Sequence, residues 1–165
     1  MTHPSDKPVS ILFVCLGNIC RSPAAEGILR QMAVNGGVAH RLRIDSAGIG
    51  GWHVGDLPDR RMRRHAARHG YELTSRARQF ETDDFGRFDL IIGMDDENVA
   101  DLRRKARTDD DRRKIHCMTE FLTHHPQQLT VPDPYYGGDA DFELVVELLE
   151  DACAELLRRE IGVRS

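Results

Sequence analysis

The apolar and polar residues of this chain fall into short continuous apolar runs and longer stretches with helical spacing. The β-rich apolar runs predict strands over residues 9–14, 41–46, 88–94 and 113–118. Apolar residues spaced three and four apart predict helices over residues 23–34, 58–69, 95–106 and 140–159. The charged run at residues 106–114 contains few apolar positions, so we expect a solvated loop there.

The regular alternation of strand and helix predicts an α/β fold. We expect a four-stranded parallel sheet with helices on both faces, forming a single domain over residues 1–165 with a flexible tail at 1–8. Ser22 and Pro23 are predicted as the N-cap and first residue of the first helix. Ligands of such sheets bind beyond the carboxyl ends of the strands, which is where Cys15 follows the first strand.

Composition narrows the class of protein. Hydrophobic residues make up 40% and charged residues 30% of the chain, and the net charge is −4, as in a soluble globular protein. The polar start and the lack of any apolar run of bilayer length predict a cytoplasmic protein without a membrane contact. The acidic balance argues against nucleic-acid binding, so the basic run at residues 59–70 is interpreted as a solvated helix face.

The cysteines and histidines do not form a recognisable metal-binding pattern. We expect free thiols, without disulfides or a zinc site, at Cys15, Cys20, Cys117 and Cys153. His65 and His69 stand four apart on a predicted helix, as metal ligands can, but no glutamate follows His65 in the metalloprotease pattern. We therefore expect a surface histidine pair, and neither a metal nor a cofactor.

The segment from Cys15 to Ser22 has the form C-x5-R-S between a strand and a helix. Five intervening residues can wrap so that their backbone N–H groups point inward and cradle a tetrahedral oxyanion. Gly17 and Asn18 are the loop residues that most easily take a left-handed conformation. The predicted phosphate-binding loop consists of Leu16, Gly17, Asn18, Ile19, Cys20 and Arg21.

The same segment favours a reactive sulfur. Arg21 can direct two N–H donors at two phosphate oxygens, and the following helix adds the positive end of its dipole. These groups favour the thiolate form of Cys15, the nucleophilic form of cysteine. Ser22 can donate a hydrogen bond that orients this sulfur and stabilises it as a leaving group.

A second candidate segment, TVPDPYYGG, supplies a carboxyl group and two aromatic rings. Prolines on both sides of Asp133 restrict the backbone, so the loop is stiff. A phosphate monoester loses an alkoxide or phenoxide, which requires a proton in the transition state. Tyr135, Tyr136 and Trp52 are the aromatic candidates for the walls of a substrate slot.

The stretch VCLGNICRSPAAEGILR closely resembles the active-site sequence of the low-molecular-weight protein tyrosine phosphatases. The resemblance continues, in order, through DSAG, ARQ, DDF, FDLIIGMDDEN and DPYYGG, and it extends from Val9 to about Leu157. It implies a phosphatase that hydrolyses phosphotyrosine and small aryl phosphates through a cysteinyl-phosphate intermediate. The implied partners are phosphotyrosine-containing proteins, with a tyrosine kinase among the candidates.

The resemblance also implies roles for single residues. Asp133 corresponds to the general acid that later activates water, and Trp52 and Tyr135 correspond to residues that flank the substrate ring. Asn18 and Ser46 correspond to a hydrogen-bonded pair that keeps the loop in shape. Cys20 corresponds to a second cysteine that can form a reversible disulfide with Cys15.

Two alternative activities come from relatives with the same cradle. Protein arginine phosphatases are similar to this chain, but they typically carry threonine where this sequence has Ile19. Arsenate reductases share the fold but need further cysteines to pass a disulfide outward, and Cys117 and Cys153 do not form that pattern. A binding module without catalysis would lose the nucleophile or the acid, whereas this chain keeps both.

Overall fold

The computed structural model describes residues 7–162, and it contains one four-stranded parallel sheet with the strand order β2-β1-β3-β4. The tail expected over residues 1–8 falls largely outside the described residues. The strands are β1 (Val9–Cys15), β2 (Leu42–Gly48), β3 (Leu90–Gly93) and β4 (Ile115–Cys117). The predicted α/β fold with a parallel sheet is confirmed, and each strand lies within two or three residues of its predicted position.

Helices cover both faces of the sheet. They are α1 (Arg21–Asn35), α2 (Arg60–Arg68), α3 (Asp84–Arg87), α4 (Asp96–Lys105), α5 (Asp109–Arg113) and α6 (Asp139–Ile161), with short 3₁₀ turns at Ala39–Arg41 and Met118–Phe121. Alternate residues of β1 point to opposite faces, as the two-residue period of a strand requires. Ile11 and Phe13 join the core with α1, α2 and α6, whereas Leu12 and Val14 join the smaller core under α4. Within residues 7–162, no helix is long and apolar enough to cross a bilayer.

The first helix begins earlier than its sequence predicts. It starts at Arg21 with Cys20 at the N-cap position, so Ser22 is the second helical residue and Pro23 the third. Ser22 does not cap the helix because its hydroxyl is bonded to Cys15 and Asn18 instead. Pro23 is tolerated because the N–H groups of the first turn have no partner within the helix.

The prediction of a loop over residues 106–114 is wrong, because this run contains α5. Thr108 caps the helix, since its hydroxyl oxygen accepts a hydrogen bond from the Asp111 N–H at 3.0 Å. Three aspartates fill the first turn, where negative charge is favourable next to the N-terminal end of the helix dipole. Charge spacing and capping, rather than apolar periodicity, specify this short helix.

Candidate active site

The loop between β1 and α1 turns tightly at the carboxyl end of the sheet. Cys15 ends β1 and is buried, and Asn18 is the non-glycine residue with a positive φ, of 58°. The expected left-handed conformation is therefore confirmed for Asn18 but is wrong for Gly17. Gly17 is constrained by proximity instead, since a Cβ atom there would lie 3.0 Å from the His53 ring.

Buried polar side chains support this loop from behind. The Asn18 amide donates to the Ser22 hydroxyl at 2.8 Å and to the Ser46 hydroxyl at 3.0 Å. The side-chain oxygen of Asn18, Oδ1, accepts a hydrogen bond from the backbone N–H of Arg78 at 3.0 Å. Ser22 thus accepts from Asn18, and its own proton can be donated to Cys15 Sγ, 2.9 Å away, or to the more distant Ala47 carbonyl at 3.4 Å. The predicted contacts of Ser22 with Cys15 and of Asn18 with Ser46 are both present.

Glu26 extends this polar network into the core. Ser46 donates to Glu26 Oε1 at 2.5 Å, and Arg30 lies 2.9 Å from Glu26 Oε2. Burial raises the pKa of Glu26, while the bond from Ser46 and the charge of Arg30 oppose the rise. The chain of contacts from Glu26 to Cys15 therefore ties the reactive sulfur to the interior of the α1–β2 layer.

Arg21 is buried with its guanidinium directed at the same cleft. Its Nη1 donates to Asp95 Oδ2 at 2.6 Å and to the Val131 carbonyl at 3.0 Å, and its Nη2 is 3.7 Å from Asp133 Oδ2. Burial lowers the pKa of Arg21, but the negative charges of Cys15 and Asp95 outweigh this and raise it above its ordinary value. The guanidinium thus stays charged, with one edge held by protein groups.

Asp95 was not singled out from the sequence. It follows β3 and caps α4, because its Oδ1 accepts a hydrogen bond from the Asn98 N–H at 2.8 Å. The sequence did contain a signal for this role, because Asp95 stands between a predicted strand and a predicted helix. The carboxyl ends of parallel strands lie at one edge of the sheet, and Arg21 lies at that same edge. One carboxylate therefore serves both the helix end and the arginine.

The loop after Val131 brings Asp133 to the opposite side of the cleft. Val131 is buried, and its N–H donates to the Met94 carbonyl at 3.1 Å. Asp133 Oδ1 accepts a bond from the Tyr135 N–H at 3.1 Å, and the Asp133 side chain remains 41% exposed. The sequence could not bring this loop to Cys15, whereas in the structure the two residues line one cleft.

The cleft has a volume of about 290 Å³. Its lining residues are Cys15, Leu16, Gly17, Ile19, Cys20, Arg21, Trp52, His53, Asp133, Tyr135 and Tyr136. All the residues predicted for the loop except Asn18 line it, and Asn18, Ser22 and Ser46 lie behind. Trp52 is 71% and Tyr136 96% exposed, so these rings stand at the rim. His53 is a lining residue that sequence reasoning missed.

The segment that carries Trp52 is called the wall loop (residues 49–58). Its two ends are attached to residues 15–21 between β1 and α1, which we call the phosphate loop. Ile49 donates its N–H to the Cys15 carbonyl at 2.9 Å, and Asp59, just after the wall loop, donates to the Ile19 carbonyl at 2.7 Å. Gly50 lies under the Trp52 ring, because a Cβ atom there would be 1.9 Å from Cζ3. With the indole in this orientation, a side chain at position 50 has no room.

Cys20 faces the same cleft as Cys15, and all four cysteines are free thiols. Burial, and then the charges of Asp59 and Cys15, raise the pKa of Cys20 well above its ordinary value. The Cys20 sulfur therefore carries its proton at neutral pH.

The expectation of a surface histidine pair is wrong for His65. Its side chain is 1% exposed and lies between Asp139 and Glu143, while His69 is partly buried beside Glu143 and Glu150. Helix α2 buries Met62, His65 and Ala66 on one face, so His65 takes a core position on a helix rich in arginine. Among residues 7–162, no cluster of three or more histidine, cysteine or carboxylate side chains could hold a metal ion.

Comparison with known proteins agrees with this geometry. Residues 10–163 match the family described as low molecular weight phosphotyrosine protein phosphatase. The chain is 43% identical to a low molecular weight protein-tyrosine-phosphatase of Streptomyces coelicolor, over 89% of this chain and 90% of the relative. It is 40% identical to the human low molecular weight phosphotyrosine protein phosphatase, over 91% of this chain and 94% of the relative.

Solved structures show the same fold. A protein tyrosine phosphatase from Entamoeba histolytica superposes with a TM-score of 0.89 at 40% identity, covering 93% of this chain and 98% of that one. A Drosophila arginine phosphatase also superposes, with a TM-score of 0.83 at 30% identity, covering 90% and 96%. With the family match over nearly its whole length, the chain belongs to the low molecular weight phosphotyrosine protein phosphatase family.

Proposed function

We propose that the chain hydrolyses phosphotyrosine in proteins, and small aryl phosphates, through a covalent cysteinyl-phosphate. The observation that carries the proposal is that Cys15, Arg21 and Asp133 line one cleft, in which Arg21 Nη2 lies 3.7 Å from Asp133 Oδ2. A nucleophile, a fixed cation and a proton donor are the three groups that phosphoryl transfer to and from sulfur requires.

In the first step, the Cys15 thiolate attacks phosphorus and forms the P–S bond. The P–O bond to the phenol breaks, and Asp133 gives its proton to the departing oxygen. Arg21 and the N–H groups of residues 16–21 hold the equatorial oxygens, where charge is spread in the transition state. This positive field supplies the stabilisation that a metal ion provides in other phosphatases.

In the second step, the Asp133 carboxylate takes a proton from water, and the resulting oxygen nucleophile attacks phosphorus. The P–S bond breaks and inorganic phosphate leaves. Cys15 departs as a thiolate, which the hydrogen bond from Ser22 at 2.9 Å stabilises. The buried bonds from Asn18 keep Ser22 in this position throughout the cycle.

The aromatic rim supports phosphotyrosine as the substrate. Trp52 and Tyr135 can flank a phenyl ring whose phosphate reaches Cys15 at the bottom of the cleft, whereas phosphoserine is too short to span it. Phosphoarginine is the alternative substrate, favoured by the likeness to a Drosophila arginine phosphatase. Ile19 lines the cleft, and its side chain offers the group that bears the phosphate only an apolar contact. This favours an aryl ester over a guanidinium.

A redox response of the same site is part of the proposal. Hydrogen peroxide would oxidise the Cys15 thiolate to a sulfenic acid, and the Cys20 thiol would then displace water to give a Cys15–Cys20 disulfide. Both thiols are free and face one cleft, as such closure requires. After peroxide treatment, thiol reductant should restore activity to the native enzyme but not to Cys20→Ser; equal recovery in both would contradict the disulfide.

The proposed location is the cytoplasm, and the proposed partners are phosphotyrosine proteins, including a tyrosine kinase. Free thiols at a reactive site fit a reducing compartment. The Cys15→Ser variant should retain a tyrosine kinase that is itself phosphorylated on tyrosine, and vanadate should release it. If the variant retains only the unphosphorylated kinase, the proposed partner is wrong.

The test of the mechanism is hydrolysis of 4-nitrophenyl phosphate in a chelating buffer across pH. We expect turnover by the native enzyme, none by Cys15→Ser, and a loss of about 10²-fold or more in Asp133→Asn. The active form needs Cys15 ionised and Asp133 protonated, so the rate should follow a bell-shaped curve that loses its alkaline limb in Asp133→Asn. Normal turnover by Cys15→Ser would contradict the mechanism.

The two substrates are separated by a peptide that carries either phosphotyrosine or phosphoarginine at one position. We expect kcat/KM of the native enzyme to favour phosphotyrosine, and Ile19→Thr to shift the ratio towards phosphoarginine. Ile19→Val is the matched control, because it keeps the apolar character and changes only the size. A native preference for phosphoarginine would replace the proposed substrate and leave the chemistry intact.

A further inference from the structure

Helix α2 contacts two of the loops that line the cleft, the phosphate loop and the loop that carries Asp133. At its N-terminal end, the Asp59 N–H donates to the Ile19 carbonyl of the phosphate loop at 2.7 Å. Two residues further, Arg61 Nη2 donates to the Tyr135 carbonyl of the acid-bearing loop at 2.8 Å. The nine residues of α2 therefore lie between the segment of the nucleophile and the segment of the acid.

His65 is the buried polar residue in this contact. Its Nε2 is 3.0 Å from Asp139 Oδ1 and its Nδ1 is 3.1 Å from Glu143 Oε1. The ring stacks on Phe142 with centroids 5.9 Å apart and an angle of 13° between the planes. Asp139 is the first residue of α6 and comes six positions after Asp133. The histidine thus holds the point at which the acid-bearing loop enters the last helix.

One carboxylate faces each nitrogen of this ring. The hydrogen bonds from His65 are the first cause of the lowered pKa of Asp139 and of Glu143, so both groups are ionised at neutral pH. An ionised carboxylate only accepts hydrogen bonds, so each of the two carboxylates is an acceptor for the side chain at position 65. Arg64 also donates to Asp139, and His69 to the second oxygen of Glu143. The two nitrogens of the His65 ring thus contact two different residues of the first turns of α6.

We propose that His65 is a positioning residue for the general acid. His65 lies on α2 and bonds to Asp139 and Glu143, at the point where the acid-bearing loop enters α6. The residue before α2, Asp59, bonds to the phosphate loop. His65 therefore fixes the distance between the two loops. This rests on the proposed function, in which Asp133 protonates the leaving group. His65 has no other role in the proposed catalytic cycle, and it does not line the cleft.

The test is the dependence of kcat/KM on the leaving group, because kcat/KM covers the steps up to loss of the phenol. Phenyl phosphate needs a proton from Asp133 more than 4-nitrophenyl phosphate does, since its phenol is less acidic. We expect His65→Gln to lose about tenfold on phenyl phosphate and less than about threefold on 4-nitrophenyl phosphate. The matched control His69→Gln, on the same helix and the same glutamate, should stay within about twofold on both.

A purely structural role predicts a different pattern. If His65 only packs α2 against α6, His65→Gln should lower both rates equally or only the melting temperature, and that result would overturn the proposal. Should His65→Gln fail to fold, Asp139→Asn reports on the same bond from an exposed side chain and should show the same leaving-group bias. A bias absent from both variants would also overturn it.

The double variant separates this proposal from the proposed function. If His65 acts through Asp133, then His65→Gln combined with Asp133→Asn should be no slower on phenyl phosphate than Asp133→Asn alone. Losses that multiply would refute the positioning role. If Asp133→Asn itself shows no bias between the two esters, the assignment of the acid is what fails, whatever His65 does.

Discussion

The two loops that form the cleft are held in opposite ways. Cys15, Asn18 and Ser22 are at most 3% exposed and are joined by hydrogen bonds among themselves. The Asp133 side chain is 41% exposed, and its loop is fixed by bonds from α2 to its backbone and to the start of α6. The proposed nucleophile thus belongs to a buried hydrogen-bonded network, while the proposed acid is a partly exposed side chain whose position depends on the contacts of its loop. Damage to the first should reduce stability and rate together, whereas loss of a contact to the loop of Asp133 itself should reduce mainly the rate.

The largest expected difference in kcat/KM between the two loops comes from replacing one arginine by lysine on each side of the cleft. Arg21→Lys keeps the charge but loses the fork that binds two phosphate oxygens, so kcat/KM should fall by about 10³-fold. Arg61→Lys removes one bond to the Tyr135 carbonyl and should cost about tenfold or less. Hydrolysis of 4-nitrophenyl phosphate measures both. Equal losses would break the distinction between the two loops.

Gly48→Ala tests whether rate and stability are coupled on the nucleophile side. A Cβ atom at Gly48 would lie 2.9 Å from the Gly17 carbonyl carbon and 3.0 Å from the Asn18 nitrogen, both backbone atoms that cannot move away cheaply. We expect the free energy of unfolding to fall by about 2 kcal/mol and kcat/KM by about tenfold. Urea unfolding and steady-state kinetics on one preparation measure the two quantities.

The matched control for that substitution is Gly86→Ala in α3. No atom lies within 4 Å of a Cβ built at Gly86, so its stability should stay within about 0.5 kcal/mol of the native value. A Gly48→Ala protein with native stability and lowered rate would mean that the phosphate loop moves independently of the core.

The smallest expected effect concerns His69, on the side of the acid. The bond to Glu143, and then the charge of Glu150, raise the pKa of His69 against the opposing effect of burial. Because the folded pKa is raised, this stabilisation is complete below the unfolded pKa of about 6.5. It is lost as pH rises through the folded pKa. The free-energy difference between native protein and His69→Gln should therefore be larger at about pH 6 than at about pH 9.

Urea unfolding of both proteins at the two pH values measures this difference. A larger difference at alkaline pH would contradict the assigned sign. Turnover by the two proteins should remain within about twofold, which separates this contact from that of His65.

Local chemistry explains which parts of the site the sequence could predict. The C-x5-R-S segment lies between a buried strand and a helix, so the loop, its nucleophile and its arginine follow from neighbouring residues. Asp95 meets Arg21 only because β3 pairs with β1, with Gly93 opposite Val14. That pairing is a property of the sheet and is not encoded in any short segment. The position of Asp133 beside Cys15 was available only through resemblance to a family.

The missed elements have equally specific causes. His65 was interpreted as a surface residue because it follows four arginines, and its carboxylate partners come more than seventy positions later in the chain. The helix over Asp109–Arg113 has no apolar stripe, so hydrophobic spacing could not reveal it. Both errors arise where polar contacts, rather than burial of apolar surface, fix the structure.

The attachment of the wall loop has a consequence for how specificity evolves. Its two ends are bonded to the backbone of the phosphate loop, and Trp52 projects from the segment between them. Backbone bonds do not depend on which side chains the segment carries, so we expect residues 51–58, which we call the cassette, to tolerate changes of side chain. We expect selection to alter which phosphoproteins are accepted by rewriting this cassette, while the reacting atoms keep their places.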